Sequence, residues 1–166
     1  MKNSKLKREF SAGGVVYRKA QGKILFLLGK HSGYHKWVLP KGLIEEDEKS
    51  WQTAIRETEE EMGVKTKLVQ KEPIHKEKYI FWATYKSQPN SRRVLKYQEQ
   101  GGSKVKVLKT VTFFLLEYLS GDPKDHGWEM EEAGWFNYKE ALELMSFKGE
   151  KEAVRIVFGL LQKKAS

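Results

Sequence analysis

The sequence predicts an α+β fold, a mixed β-sheet held between helices. Apolar segments of strand length stand both before and after one acidic segment of helical period, and two further helical segments close the chain. Strands and helices do not alternate one for one, which argues against a doubly wound parallel sheet. Twenty aromatic side chains supply the bulk for a core between such layers.

Phe10–Arg18 (FSAGGVVYR) ends in β-branched and aromatic residues and predicts a strand. Ile24–Leu28 (ILFLL) is continuously apolar, the signature of a strand buried on both faces. Lys36–Pro40 is a short extended piece that Pro40 keeps out of a central ladder. Ser50–Met62 follows as the acidic helix, and Val64–Gln70 as the next strand. Tyr79–Tyr85 (YIFWATY) predicts a strand with Tyr79, Phe81, Ala83 and Tyr85 on one face and Ile80, Trp82 and Thr84 on the other. Residues 86–106 are polar, basic and glycine-containing, and are expected to be a mobile loop. Val107–Leu119 is a long apolar strand and Gly134–Phe136 a brief one. Tyr138–Met145 predicts a short helix. Gly149–Lys164 predicts a longer one, with Ala153, Val154, Val157, Leu160 and Leu161 at helical spacing.

A chain of 166 residues suits one domain, spanning 1–166 with a basic N-terminal tail over 1–8. Cysteine is absent, which excludes disulfide-linked partners, thiolate metal sites and cysteine nucleophiles. No apolar run reaches the roughly 18 residues of a membrane span. Met1–Phe10 is basic and lacks the apolar stretch of a secretion signal, so a cytoplasmic location is expected. The net charge of +9 is patterned: residues 1–41 carry +9, 42–64 carry −6, 65–109 carry +9 and 110–136 carry −5. A basic surface attracts polyanions and an acidic island can hold divalent cations. A phosphate-rich, metal-bound substrate accounts for both; solvated surface charge is the plain alternative.

At about 100° per residue, Trp51, Ala54, Ile55, Thr58 and Met62 of the acidic helix fall on one stripe. Glu57, Glu60 and Glu61 share a flank beside it, whereas Glu59 falls elsewhere. Like charges at this spacing destabilise a helix, so a divalent metal, or solvent and nearby lysines, must offset them. Arg56 stands four residues before Glu60 and can brace it, and Gly63 is a natural helix stop.

Gly42, Glu48, Arg56, Glu57, Glu60, Glu61 and Gly63 stand in the spacing Gly-x5-Glu-x7-Arg-Glu-U-x-Glu-Glu-x-Gly-U, where U is usually aliphatic. The two U positions hold Thr58 and Val64, Thr58 being the one mild departure. The chain therefore resembles the Nudix hydrolase family, over most of its length. The resemblance implies an αβα sandwich and metal-dependent cleavage of a nucleoside diphosphate linked to another group, by water attack on phosphorus. It implies Mg²⁺, with Mn²⁺ as a substitute, held by Glu57, Glu60, Glu61 and the Gly42 carbonyl. Glu48, Arg56 and Gly63 would be structural. A further carboxylate from outside this stretch serves as general base in many members. Glu129, six residues before Trp135, is the candidate here, as a catalytic group and as a metal ligand, with Glu131 and Glu132 as competitors. A solvated loop is the other reading of that second acidic island.

The entry Trp37-Val38-Leu39-Pro40-Lys41-Gly42 resembles the diadenosine polyphosphate (Ap4A) hydrolase branch, as do the placing of Glu129 before Trp135 and the Glu140-Ala141 helix start. In that reading Lys36 and Lys41 contact phosphates, and Trp82, or its neighbours Tyr79 and Phe81, stacks on adenine. Solvated lysines and core aromatics are the structural alternatives. His31 and His35 are not expected to bind metal, because Mg²⁺ prefers oxygen. A triphosphorylated RNA 5′ end and a diphosphoinositol polyphosphate remain alternative substrates. A non-catalytic nucleotide or RNA-binding sensor is the reading from another class.

Overall fold

The two strands that organise the sheet are the longest among the described residues. The computed structural model describes residues 6–84 and 104–165. β1 (Lys7–Ala20) and β7 (Lys104–Gly121) pair in parallel from Lys7 opposite Val107 to Tyr17 opposite Glu117. Outward from β1 lie β2 (Lys23–His31) and β3 (Trp37–Val38), both antiparallel. β4 (Lys41–Leu43) also pairs with β1. β5 (Val64–Leu68) and β6 (His75–Thr84) are antiparallel to opposite halves of β7. β8 (Met130–Asn137) is antiparallel to β2.

Alternation along these strands makes two cores. Val15, Tyr17, Val111, Phe113 and Leu115 face α2 (Tyr138–Leu144) and α3 (Lys148–Ala165), where Ala141, Ala153, Val154, Val157 and Leu161 meet them. Ala12, Val16, Phe114 and Leu116 face α1 (Ser50–Met62), against Ala54 and Met62. The predicted mixed sheet between helices is therefore present. Among the described residues no helix is long and apolar enough to cross a membrane.

Several boundaries differ from the sequence reading. β1 begins at Lys7, inside the expected tail, because its ladder to β7 extends past the apolar core. β7 begins at Lys104, so the last residues of the expected loop are strand; residues 85–103 of that loop lie outside the described residues. β6 starts at His75, since pairing with β7 carries the polar His75–Lys78 into the sheet. β8 has eight residues because the exposed Glu132 still pairs with Lys30 and Met130 with His31, around a bulge at Glu131. β4 was not foreseen. Its three residues are ordered by β1 rather than by their own propensity.

Candidate active site

α1 is set by its ends and its stripe. The Lys49 N–H donates to the Gln52 side-chain oxygen at 2.8 Å. Gly63 ends the helix at φ 70°, its N–H on the Glu59 carbonyl. A side chain at Gly63 would be strained and would meet the Asp122 and Asp125 backbone at 3.0 Å or less. The buried side carries Thr53, Ala54, Thr58 and Met62, together with one carboxylate, Glu61. Thr58 satisfies its hydroxyl on the Ala54 carbonyl at 2.7 Å, so a threonine is tolerated on that face.

Arg56 ties the preceding loop to the helix. Its Nε and Nη2 bond the two Glu48 oxygens at 2.8 and 2.9 Å, and Nη2 also donates to the Leu43 carbonyl at 3.2 Å. Its Nη1 reaches Glu57 at 2.9 Å and Glu60 at 3.1 Å. The bonds from Arg56, with one from the Thr53 hydroxyl, hold the Glu48 carboxyl down to about 2, despite the opposing effect of burial.

The Glu57 carboxyl rests on the backbone of Gly42. A Cβ built on Gly42 would lie 2.1 Å from the Glu57 carboxyl carbon, so any larger residue there displaces that carboxyl. Burial raises Glu57, and raises Glu61 well above the usual carboxylate range, with the charges of Glu57 and Glu129 adding to the rise in Glu61. The Glu57 and Glu61 side chains interact directly, each altering the other's affinity for a proton. The Lys41 N–H donates to Glu61 Oε1 at 3.3 Å.

A cleft of about 250 Å³ is lined by Glu57, Glu60, Glu61, Gly127, Trp128 and Glu129. Four of the predicted carboxylates thus share one opening. Glu129 arrives on the loop after a short 3₁₀ turn (Pro123–Asp125). The Gly127 N–H bonds the Glu61 carbonyl at 3.0 Å, and a side chain at Gly127 would strike the Glu60 carbonyl at 2.5 Å. The Ser32 N–H and hydroxyl both donate to the Glu129 carbonyl, at 2.8 and 2.9 Å. This anchored loop replaces the solvated loop considered from sequence. Glu131 and Glu132 are held elsewhere, Glu131 by His35 at 3.0 Å and Lys30 at 3.5 Å, Glu132 by Lys30 at 3.9 Å.

The predicted phosphate and base contacts separate. Lys41 is half-buried and its ammonium bonds Glu150 at 3.0 Å; burial would lower it, but Glu150, Tyr34 and Glu61 hold it raised. It fastens the entry turn to α3, and phosphate does not find it free. Lys36 is exposed on the β2–β3 turn. Tyr79 stands opposite Lys109 on the face of the sheet that carries Glu77, whose carboxyl senses Lys41 and Glu150. Trp82 is on the reverse face, opposite Lys106, and the structure does not bring it to the cleft. Trp37 packs edge-on to Phe136 at 5.0 Å, a core role.

Two residues escaped the sequence reading. Glu150 is 1% exposed and accepts from Leu39 N–H at 3.3 Å as well as from Lys41, its other oxygen having no hydrogen-bond partner among the described residues. Lys109 lies within electrostatic reach of Lys41, Glu9, Glu61 and Glu57; burial, then Lys41, lowers it. The signal was a lysine inside an apolar strand, a position that ordinarily rejects charge.

The donor set fits a hard divalent cation. A buried carboxyl (Glu61) and a half-buried one (Glu57), both raised by burial, would give up their protons more readily to an ion bringing two positive charges. As they stand, no three acidic or histidine side chains among the described residues converge to enclose an ion, since Arg56 engages Glu57 and Glu60.

The NUDIX domain profile matches residues 7–157. The chain is 48% identical over 67 residues to the bis(5′-nucleosyl)-tetraphosphatase (asymmetrical) of Caenorhabditis elegans, covering 39% of this chain and 49% of that protein. It is 30% identical over 132 residues to the protein of the same name from Sus scrofa, covering 78% of this chain and 74% of that one. It spans about half the length of the C. elegans protein and of a Mycobacterium tuberculosis relative, 49% and 56%. The fold is similar to that of a C. elegans Ap4A hydrolase binary complex, with a TM-score of 0.62, 24% identity, and coverage of 93% of this chain and 98% of that one.

Proposed function

The chain belongs to the NUDIX domain family, and we propose that it hydrolyses the diphosphate linkage of a nucleoside diphosphate derivative, with diadenosine tetraphosphate as the preferred substrate. The observation that carries the chemistry is Glu57 seated on Gly42 and paired with the buried Glu61, beside Glu60 and Glu129 in one cleft. The substrate follows from the two tetraphosphatase relatives and from the Trp37–Gly42 entry.

Glu57, Glu60 and Glu61, with the Gly42 carbonyl, are the residues that would hold Mg²⁺ or Mn²⁺, and Glu129 completes the acidic wall. When bound, the ion neutralises phosphate oxygens and acidifies a water. Glu129 takes the proton from the attacking water, a role its place in the cleft permits and its backbone anchor on Ser32 steadies. Lys109 presents its ammonium to the substrate phosphates in place of Lys41, which Glu150 occupies. Tyr79, next to Lys109, offers a ring to the adenine. Arg56 and Glu48 keep the loop and helix registered, so that Glu57 and Gly42 stay in contact.

Turnover of diadenosine tetraphosphate, triphosphorylated RNA, ADP-ribose and a diphosphoinositol polyphosphate, run in parallel with Mg²⁺ in ¹⁸O-water, tests this reading. The dinucleotide should react fastest and leave label on a phosphate product. Faster release from RNA or from the inositol compound would move the substrate and leave the chemistry standing. Nucleotide binding without turnover of any of the four would make the chain a sensor.

A further inference from the structure

We propose that the sheet face opposite Lys109 and Tyr79 is a docking surface for single-stranded nucleic acid, separate from the acidic cleft. Register and alternation assemble it from three strands. Arg8, Leu108 and Ile80 form one row across β1, β7 and β6; Phe10, Thr110 and Lys78 form the next. Lys106 with Trp82, and Thr112 with Lys76, flank them. The odd-numbered neighbours Glu9, Lys109 and Tyr79 point to the other face of the sheet, from which Lys109 comes within electrostatic reach of Glu61 and Glu57. α1 covers the same face farther along, over Ala12, Val16, Phe114 and Leu116, and among the described residues no helix packs on this end.

Three large apolar side chains are exposed here: Phe10 at 55%, Ile80 at 54% and Trp82 at 52%. A single exposed apolar residue is ordinary, but three grouped on one face mark an interaction surface. Arg8, Lys76 and Lys78 are exposed between them and Lys106 is half-buried, and no acidic residue occupies these rows. Cations alternating with aromatic rings suit a strand of phosphates and bases, the phosphates meeting lysine and arginine while bases stack on Phe10 and Trp82. A two-fold pairing with a second copy would set these four cations against four like charges. A lipid surface is better met by a protruding amphipathic helix than by a flat pleated face.

The test uses the full chain and a 12-nucleotide 5′-hydroxyl RNA labelled at its 3′ end, which lacks the terminal phosphates the cleft would attack. Fluorescence anisotropy should show binding that weakens with salt, with a slope of about −3 for four phosphate contacts at roughly −0.7 each. Trp82→Ala should weaken it about tenfold through lost stacking. Arg8→Glu with Lys78→Glu should roughly halve the slope. These variants should keep the wild-type melting temperature and the wild-type rate on diadenosine tetraphosphate. The charge-reversed pair is exposed, so it carries the test if Trp82→Ala fails to fold. The binding measurement needs no turnover, so it stands whether or not the proposed hydrolysis does. Failure to bind at low salt would overturn the proposal. So would RNA binding that Trp82→Ala leaves intact and the dinucleotide competes away. Self-association, or anionic-vesicle binding, that depends on Trp82 in a chain that ignores the oligonucleotide would overturn it too.

Discussion

Replacing Gly42 by alanine should separate fold from function. The added Cβ would sit 2.1 Å from the Glu57 carboxyl carbon and 2.2 Å from its Oε1. Ordinary carbon contacts lie at about 3.5 Å or more, so the carboxyl must retreat by roughly 1.4 Å. It is the end of a flexible side chain, so the backbone has no need to move. The retreat loses the 2.9 Å bond from Arg56 and the link to Glu61. Losing a hydrogen bond to a charged group costs about 2 kcal/mol, or roughly 4–8 °C in melting temperature for a chain of this size. A displacement beyond 1 Å at the reacting centre costs about 10²-fold in rate. Gly159→Ala is the control. Nothing lies within 4 Å of a Cβ there, so alanine should stabilise α3 by up to about 1 kcal/mol and leave the rate unchanged. Steady-state hydrolysis and thermal melting of the two variants suffice. Gly42→Ala with wild-type activity would refute the contact between Gly42 and Glu57 as a working part of the site.

Lys109→Met should raise KM for the dinucleotide about tenfold with kcat less affected, and should not lower stability, because burial already disfavours that charge; an unchanged KM would remove Lys109 from the phosphate site. Glu129→Gln should cost roughly 10²–10⁴ in kcat and reshape the pH–rate profile while keeping metal-induced stabilisation, as a general base would; loss of that stabilisation would make Glu129 a ligand instead. Glu61 is raised well above 4.5 in the folded state, so its contribution is present at acid pH and is lost as pH rises through the folded value. The metal-free chain should therefore melt lower at pH 8 than at pH 5, and Glu61→Gln should flatten that dependence; a parallel decline in both would assign it to other groups.

Periodicity located α1 to the residue, because its apolar stripe, its glycine stop and its polar start agree with one another. It did not show that Glu61 is buried and Glu60 is not. The two flank the same stripe, and the sheet, together with the Gly127 loop, decides which is covered. Nothing in the sequence singles out Glu150 from the other charged residues of α3. Only the folding of α3 against the entry turn turns it to Lys41 and Leu39. The same partnership took Lys41 from its expected phosphate role. Trp82 stands away from the α1 carboxylates for a different reason. Alternation fixed which residues share its face, but not how far along that face α1 reaches.

The central claim, that the carboxylates of α1 host metal-dependent hydrolysis, rests most directly on Glu60→Gln beside Glu59→Gln. Both side chains are exposed on α1 and both changes preserve size, but only Glu60 faces the cleft. Mg²⁺-dependent hydrolysis of diadenosine tetraphosphate should fall about a thousandfold in Glu60→Gln, roughly 4 kcal/mol in barrier, and stay at the wild-type rate in Glu59→Gln. The stabilisation of about 2.7 kcal/mol expected at a metal concentration 100 times Kd should shrink in the first variant alone. Equal rates and equal metal-induced melting shifts in the two variants would contradict the account.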